Sequence, residues 1–172
     1  MLIEISNPTN KILFPRIIAR GLPAPGTESE TASGLALSVR YEILGTPGAG
    51  AAILGDLPAE LKQGTDLAVL IRVANSLNYR VNEIALTALM PSGWEIHNQR
   101  IGEESGSANH QDIRDDRVID YFSLDPGSSR ELRLLVNNAY AGHFYLPLIK
   151  AEAMYDPEIQ AVRPGRWIDI VP

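Results

Sequence analysis

The densest group of side chains that could do chemistry is an acidic cluster between residues 112 and 120. Its members are Asp112, Asp115, Asp116 and Asp120. Paired carboxylates can act as a general acid and base, or they can bind calcium. However, Arg114 and Arg117 interrupt the cluster, and its spacing differs from that of a calcium-binding loop. We therefore interpret the cluster as a solvated run of charges.

Other nucleophiles and metal ligands are scarce in this sequence. The histidines His97, His110 and His143 are far apart and form no i, i+4 pair. Cysteine is absent, which removes thiolate ligands and cysteine nucleophiles. The sequence contains no G-x-S-x-G elbow and no glycine loop between a strand and a helix. It therefore predicts no catalytic residue, no metal site and no cofactor, which favours a protein that is not an enzyme.

The charge and hydropathy of the chain exclude further classes of partner. Acidic residues outnumber basic ones by 21 to 15, which gives a net charge of −6 and a pI near 5.0. A net negative charge disfavours binding to nucleic-acid phosphates and to anionic lipids. The chain also lacks a secretory signal pattern and the run of about 20 apolar residues that a membrane span needs. We expect neither a nucleic-acid partner nor membrane contact by these residues; an export signal would lie upstream.

The elements that must position any site are strands. Apolar residues alternate with polar ones along most of the chain, and this period of two is typical of strands with one buried face. Glycine, proline and aspartate turns separate the segments. The predicted strands are 37–42, 67–73, 84–90, 117–124, 130–138, 143–154 and 166–172. This pattern predicts an all-β fold, specifically an antiparallel β-sandwich.

A composition change near residues 21–34 divides the chain into two parts. The segment "GLPAPGTESETASG" is rich in proline, glycine, serine and glutamate, which is typical of a linker. Before it, "LIEISN" and "KILFPRIIA" predict two strands, and an isolated pair of strands is only marginally stable in water. We therefore predict that residues 1–33 hold terminal strands and a linker, and that residues 34–172 form the sandwich domain.

Two tryptophans bear on whether the sandwich binds carbohydrate. Trp94 and Trp167 each follow a turn and begin a strand, where a large ring most often fills the end of a sandwich core. We predict that both are buried. Exposure of Trp94, Trp167 or Tyr145 on one face would instead favour a carbohydrate-binding or adhesive module, which stays the alternative function.

The stretch "IKAEAMYDPEIQA", residues 149–161, places Met154 and Tyr155 where small polar residues are usual. Its alternation puts Ala151 and Ala153 on one face, and Asp156-Pro157 predicts a turn directly after Tyr155. Tyr155 is then either a core tyrosine at a sandwich corner or, with Met154, an exposed pair that contacts another domain. The pattern alone leaves both readings open.

The C-terminal third of the chain carries a resemblance to a known family. "AYAG-x-F-x-L-P" is followed by "AEAMYDP-x-I" and then by "PG-x-W". This order resembles the C-terminal macroglobulin-like domain of bacterial alpha-2-macroglobulins, which are exported proteins that trap proteases. "QGTDL" and "MPSGWEIHN" are similar to earlier parts of the same domain. Residues 1–20 resemble the last strands of the CUB-like domain that flanks the thioester-bearing domain in this family.

The resemblance implies a protease-inhibitor module whose sandwich is macroglobulin-like and fibronectin III-like. It implies that Met154, Tyr155, Asp156 and Pro157 form the site with which this domain covers the thioester before activation. The partners implied are the thioester domain of the same chain and, through the full-length protein, target proteases. The resemblance also implies a location in the periplasm or cell envelope, and we expect the fragment itself to be a monomer.

Overall fold

The structure is a computed structural model that describes residues 4–8, 11–12, 14–18, 24–45, 52–97 and 110–172. Within these ranges every helix or strand assigned is a β-strand. The strands are β1 Thr31–Ser33, β2 Leu35–Ile43, β3 Ala52–Leu54, β4 Glu60–Lys62, β5 Asp66–Asn75, β6 Val81–Leu89, β7 Trp94–His97, β8 His110–Ile113, β9 Arg117–Leu124, β10 Ser129–Asn138, β11 Gly142–Leu146, β12 Ile149–Ala153, β13 Asp156–Arg163 and β14 Arg166–Val171.

The first sheet has six strands in the order β1-β13-β12-β6-β9-β8, and every neighbouring pair is antiparallel. Its sequence alternates because one face is buried and the other is not. In β9 every second residue is buried: Val118, Asp120, Phe122 and Leu124. This sheet contains both strands on either side of Met154 and Tyr155.

The second sheet has five strands in the order β3-β2-β5-β10-β7 and is also antiparallel throughout. Its central strand β5 is the most apolar, and Leu67, Ile71 and Val73 on it are fully buried. These side chains join Ile84 and Leu86 of the first sheet in one core cluster. The two sheets therefore enclose a shared hydrophobic core, as in a sandwich.

The third sheet has three strands in the order β11-β14-β4. β11 and β14 are antiparallel, whereas β14 and β4 are parallel. Leu61, Ile168 and Ile170 from this sheet are buried in the same core cluster. The apolar face of the third sheet thus extends the core of the sandwich.

The predicted antiparallel β-sandwich is confirmed. The predicted strand at 117–124 coincides with β9, and the long strand predicted at 143–154 is divided into β11 and β12. The turn predicted at Asp156-Pro157 is wrong: the chain reverses at residues 154–155, and both Asp156 and Pro157 belong to β13.

The N-terminal part differs from its prediction. The described residues 4–8, 11–12 and 14–18 form no strand, and the remaining residues of both predicted strands lie outside the described residues. A two-stranded ribbon needs further strands or a packed face to be stable, and no described strand pairs with these ranges. β1 pairs with β13, so the sheet begins at Thr31, before the predicted boundary at residue 34. The division into a CUB-like part and a sandwich domain stays a prediction.

Candidate docking site at a hairpin tip

Met154 and Tyr155 form the two-residue loop of the hairpin that joins β12 to β13. Ala153 and Asp156 face each other at its base. Loops of this length usually contain asparagine or glycine, because types I′ and II′ need a positive φ at the first loop residue. Neither Met154 nor Tyr155 has a positive φ, so the turn is of another type. We call these two residues the hairpin tip.

Both side chains of the hairpin tip face solvent. Met154 is 50% exposed and Tyr155 is 84% exposed. Within the described part of the chain, neither side chain makes a hydrogen bond, an ion pair or a ring contact. The interpretation of Tyr155 as a core tyrosine is therefore wrong, because Ala151 and Ala153 fill the inner face of β12 and the loop lies beyond it.

The main chain holds the hairpin tip on both sides. The Met154 N–H donates to the carbonyl of Glu83 in β6, with an N···O distance of 2.9 Å. On the other side, the Glu158 N–H donates to Asp156 Oδ1 at 3.2 Å. Pro157 has a fixed φ and no N–H, which restricts the chain directly after the loop. The predicted site residues Asp156 and Pro157 thus support the tip, while Met154 and Tyr155 present its side chains.

Glu83 is the residue of this site that sequence reasoning missed. Its φ of 51° makes it the one non-glycine residue with a positive φ among those described. A signal for it exists: the apolar residues Val81, Ile84 and Leu86 are three and then two positions apart. A strand whose period of two slips by one residue predicts a β-bulge, here at residues 82–83.

Two carboxylates of the acidic cluster form separate ion pairs with neighbouring arginines. Asp112 pairs with Arg114 at 2.9 Å, and Asp116 pairs with Arg117 at 2.6 Å. The hydrogen bonds from Arg117 lower the pKa of the Asp116 carboxyl. Each of these carboxylates thus has an arginine of its own, which agrees with a run of surface charges.

Asp120 departs from the interpretation as a solvated charge. It is completely buried, because it lies on the inner face of β9. Arg130 of β10 reaches across from the second sheet, with its Nε 2.7 Å from Asp120 Oδ2 and its guanidinium 5.3 Å from the Phe122 ring centre. The pair therefore links the two sheets, and a buried carboxylate needs such a partner.

The two tryptophans have different environments. Trp94 is buried, as predicted, and its ring meets Tyr41 edge to face at 6.5 Å. Trp167 is 50% exposed, so its predicted burial is wrong. Ile168 and Ile170 occupy the inner face of β14, and alternation therefore puts Trp167 on the outer face.

Trp167 forms an aromatic group on the outer face of the third sheet. Its ring stacks on His143, with centroids 4.6 Å apart and planes 4° apart, and the Tyr145 ring lies 5.3 Å away. His143 Nδ1 is 2.7 Å from Asp169 Oδ1. We call His143, Tyr145 and Trp167 the Trp167 face.

The described residues bring together no three histidine or carboxylate side chains that could hold a metal ion. His97 lies 3.6 Å from Asp66, and His110 tilts against Tyr121 at 6.1 Å. Each histidine thus has a separate neighbour. The part of the chain with described coordinates also contains no helix long and apolar enough to cross a membrane.

Comparison with known proteins agrees with this geometry. The family model "Bacterial Alpha-2-macroglobulin MG10 domain" matches residues 34–158. The alpha-2-macroglobulin of Pasteurella multocida is 30% identical over 106 residues, covering 59% of this chain and 6% of the relative. That of Xylella fastidiosa is 25% identical over 166 residues, covering 86% of this chain and 10% of the relative. The chain therefore spans a tenth or less of these relatives.

Solved structures show the same fold. The crystal structure of native Escherichia coli alpha-2-macroglobulin from domain MG7 to the C-terminus aligns with a TM-score of 0.68 at 21% identity, covering 86% of this chain and 25% of that chain. Salmonella alpha-2-macroglobulin reacted with methylamine aligns with a TM-score of 0.64 at 22% identity, covering 84% and 10%. The sandwich is thus a macroglobulin-like β-domain. With the family model matching most of its length, the chain belongs to the MG10 domain family of bacterial alpha-2-macroglobulins.

Proposed function

We propose that this chain is the non-catalytic C-terminal domain of a bacterial alpha-2-macroglobulin-like protease inhibitor. In this proposal its hairpin tip docks on the thioester-bearing domain of the same chain before activation. The observation that carries the proposal is the exposure of Met154 and Tyr155, at 50% and 84%, on a loop whose backbone is held in place. Membership of the MG10 domain family supports an inhibitor of this kind as the parent protein. The chain corresponds to about a tenth of the length of the Xylella fastidiosa relative.

The chemistry of the hairpin tip suits the covering of a reactive acyl bond. A thioester reacts with water and with amines, so it survives only where both are kept out. Tyrosine contributes a large ring at a low cost in conformational entropy, and the methionine thioether adapts its shape to a partner surface. A small tip with two apolar side chains can therefore close such a site.

The remaining parts of the proposal concern the whole protein. Target proteases act as partners through the full-length inhibitor, and the protein works in the periplasm or cell envelope after export. The support for these partners and this location is the similarity of the chain to other bacterial alpha-2-macroglobulins. The net charge of −6 supports the absence of a nucleic-acid or anionic-lipid partner for this fragment.

Methylamine reactivity of the full-length protein tests the proposal. We compare the wild type with the double variant Met154→Ala/Tyr155→Ala and follow the thioester peptide by mass spectrometry. Loss of an aromatic anchor from an interface typically weakens it by more than about 1 kcal/mol, so modification should be about tenfold faster in the double variant. Salmonella alpha-2-macroglobulin reacted with methylamine is among the similar structures, which supports the choice of probe.

Tyr140→Ala is the matched control. Tyr140 is also a large exposed residue, at 57%. The Tyr140 N–H donates to the carbonyl of Gly93, which lies beyond the end of β6 at Leu89. The hairpin tip lies at the opposite end of β6, beside the start of that strand. This variant should react at the wild-type rate. Equal rates in all three proteins, or a protein with no amine-reactive peptide, would refute the shielding role.

The exposure of Trp167 favours a second candidate function, a carbohydrate-binding or adhesive module. An exposed ring can stack on a sugar, but His143 already covers one face of this indole. Sedimentation of the chain with peptidoglycan, chitin and cellulose tests this function. Binding that disappears in Trp167→Ala would support it; no binding by the wild type would remove it.

A further inference from the structure

The backbone of Glu83 is linked to the hairpin tip. We propose that Glu83 is a positioning residue for the tip, and that it acts through its left-handed backbone and carbonyl group, not through its charge. Only the purpose of this positioning, which is to hold the tip for docking, rests on the proposed docking function. The positioning itself can be tested on the present chain.

The register of β6 shows how Glu83 reaches the tip. β6 follows β9 with a one-residue shift, because Val81 faces Leu124 and Ile84 faces Phe122. The extra residue makes a β-bulge, which locally redirects the strand. On the other side of β6, regular pairing with β12 ends at Ala153 and Ile84. The bond from the Met154 N–H to the Glu83 carbonyl carries this pairing into the loop.

The conformation of Glu83 is unusual for its residue type. Its φ of 51° lies in the left-handed region, which glycine and asparagine adopt readily and other residues adopt at a cost. Such a conformation persists where the surrounding structure requires it, and it often lies at a functional site. The Glu83 nitrogen is 3.4 Å from Ser123 Oγ, so both the N–H and the carbonyl of this residue face neighbours.

The side chain of Glu83 does not explain the conformation. Glu83 is exposed, and no described cation forms an ion pair with its carboxylate. The neighbouring cations have other partners: Arg80 pairs with Asp125, and Lys150 pairs with Glu152. A return to negative φ would rotate the Glu83 peptide and turn its carbonyl away from β12. Met154, the first loop residue, would then lose this hydrogen bond, and its backbone would no longer fix the position of its side chain.

Substitutions at position 83 separate the backbone from the charge. Glu83→Gln removes the charge and keeps the backbone preference nearly unchanged. Glu83→Asn and Glu83→Gly favour the left-handed region, whereas the β-branched Glu83→Val opposes it. The inference predicts that hydrogen exchange of the Met154 amide follows the φ preference of residue 83 across this series and does not depend on its charge.

Amide hydrogen exchange of Met154, measured by nuclear magnetic resonance on this chain, is the first test. Exchange should be about tenfold faster in Glu83→Val than in the wild type, because local opening breaks the bond to the carbonyl. Glu83→Gln should match the wild type, and Glu83→Asn should match it or exchange more slowly. The Ala151 amide in β12 serves as the internal reference.

Two outcomes overturn the positioning role. One is wild-type exchange of Met154 in a folded Glu83→Val; the other is faster exchange in Glu83→Gln, which would assign the effect to the charge. If Glu83→Val does not fold, Glu83→Asn decides. Its Met154 amide must exchange no faster than in the wild type, and faster exchange with an unchanged Ala151 amide contradicts the inference.

Methylamine reactivity of the full-length protein then tests the purpose of the positioning. Glu83→Val should accelerate modification in the same direction as Met154→Ala/Tyr155→Ala, whereas Glu83→Gln should not. If the tip variant accelerates the reaction and Glu83→Val does not, positioning by Glu83 has no role in docking and the inference fails. If exchange responds to Glu83→Val but the tip variant leaves the reaction unchanged, the docking proposal fails and the positioning stands.

Discussion

The hairpin tip and the Trp167 face both expose aromatic side chains, but they differ in what surrounds the rings. The Tyr155 ring is 84% exposed and has no ring or hydrogen-bond partner among the described residues, whereas Trp167 is 50% exposed and stacks on His143. Exposure alone therefore does not distinguish a docking residue from one that its own sheet supports. Under the docking proposal, the distinguishing feature is the absence of ring and hydrogen-bond partners among the described residues.

The Trp167 face also supports a different part of the chain. Tyr145 faces Trp167 directly across the β11–β14 pair. Its hydroxyl donates to the Glu28 carboxylate at 2.8 Å and accepts the Gly26 N–H at 2.8 Å. These bonds attach the segment before β1 to the sandwich. The rings of this face thus serve the fold, whereas the Tyr155 ring has no ring or hydrogen-bond partner among the described residues.

The largest expected effect in this comparison comes from Gly165→Ala. A Cβ at Gly165 would collide with the Tyr145 hydroxyl and lie 2.7 Å from the Leu146 carbonyl oxygen, which is main chain and cannot rotate away. Overpacking of this kind typically destabilises a domain by about 1–3 kcal/mol. Urea unfolding should show this loss for Gly165→Ala. Gly55→Ala is the control, since a Cβ there meets nothing within 4 Å; equal midpoints for both variants would contradict the crowded packing of the Trp167 face.

Trp167→Ala should have the next largest effect on stability. The substitution removes the stack with His143 and the cross-strand contact with Tyr145. Aromatic pairs contribute about 0.5–1.5 kcal/mol beyond area burial, so the midpoint of urea unfolding should fall by a corresponding amount. Trp167→Phe should recover part of the loss. A variant as stable as the wild type would place Trp167 in the same class as Tyr155 and revive a binding role for its face.

The sequence predicts the strands well because one face of each sheet is buried. A strand with one buried and one solvent-facing side must alternate apolar and polar residues. β9 therefore has the predicted bounds, residues 117–124. Local sequence does not predict the position of the tip, because Asp156-Pro157 is a typical turn pair whereas Met154-Tyr155 is not. The loop at residues 154–155 follows from pairing between β12, β13 and β6, which no local pattern contains.

The candidate site and the core show the same limit. Asp120 occupies an inward position of β9, but its burial depends on Arg130 of the other sheet, and sequence patterns do not reveal which residues meet across a sandwich. The slip between Val81 and Ile84 does predict a bulge, although the contact of its carbonyl with Met154 requires the three-dimensional register. Local periodicity thus predicts elements, while partners between elements come from the fold.

A pH titration probes the link between the Trp167 face and the segment before β1. The hydrogen bond from Tyr145 holds the pKa of the Glu28 carboxyl below its ordinary value of 4.5. The contribution of this link is therefore present above pH 4.5 and is lost as the pH falls through the lowered pKa. The protection factor of the Gly26 amide against hydrogen exchange should fall there, once the intrinsic rate at each pH is divided out. Glu28→Gln keeps an acceptor without a titratable group and should abolish the pH dependence; an unchanged profile would exclude Glu28 as its cause.

The smallest effect on stability is expected for the hairpin tip. Met154→Ala/Tyr155→Ala removes side chains that are half and mostly exposed, and surface substitutions of this kind usually change stability by less than about 0.5 kcal/mol. Urea unfolding of this chain should therefore leave the midpoint close to the wild type, in contrast to Trp167→Ala. A large loss would mean that the tip supports the fold as the Trp167 face does, and its exposure would then no longer argue for docking. A small loss keeps the double variant folded, so that any faster amine reaction in the full-length protein reports the uncovering of the thioester and not the unfolding of this domain.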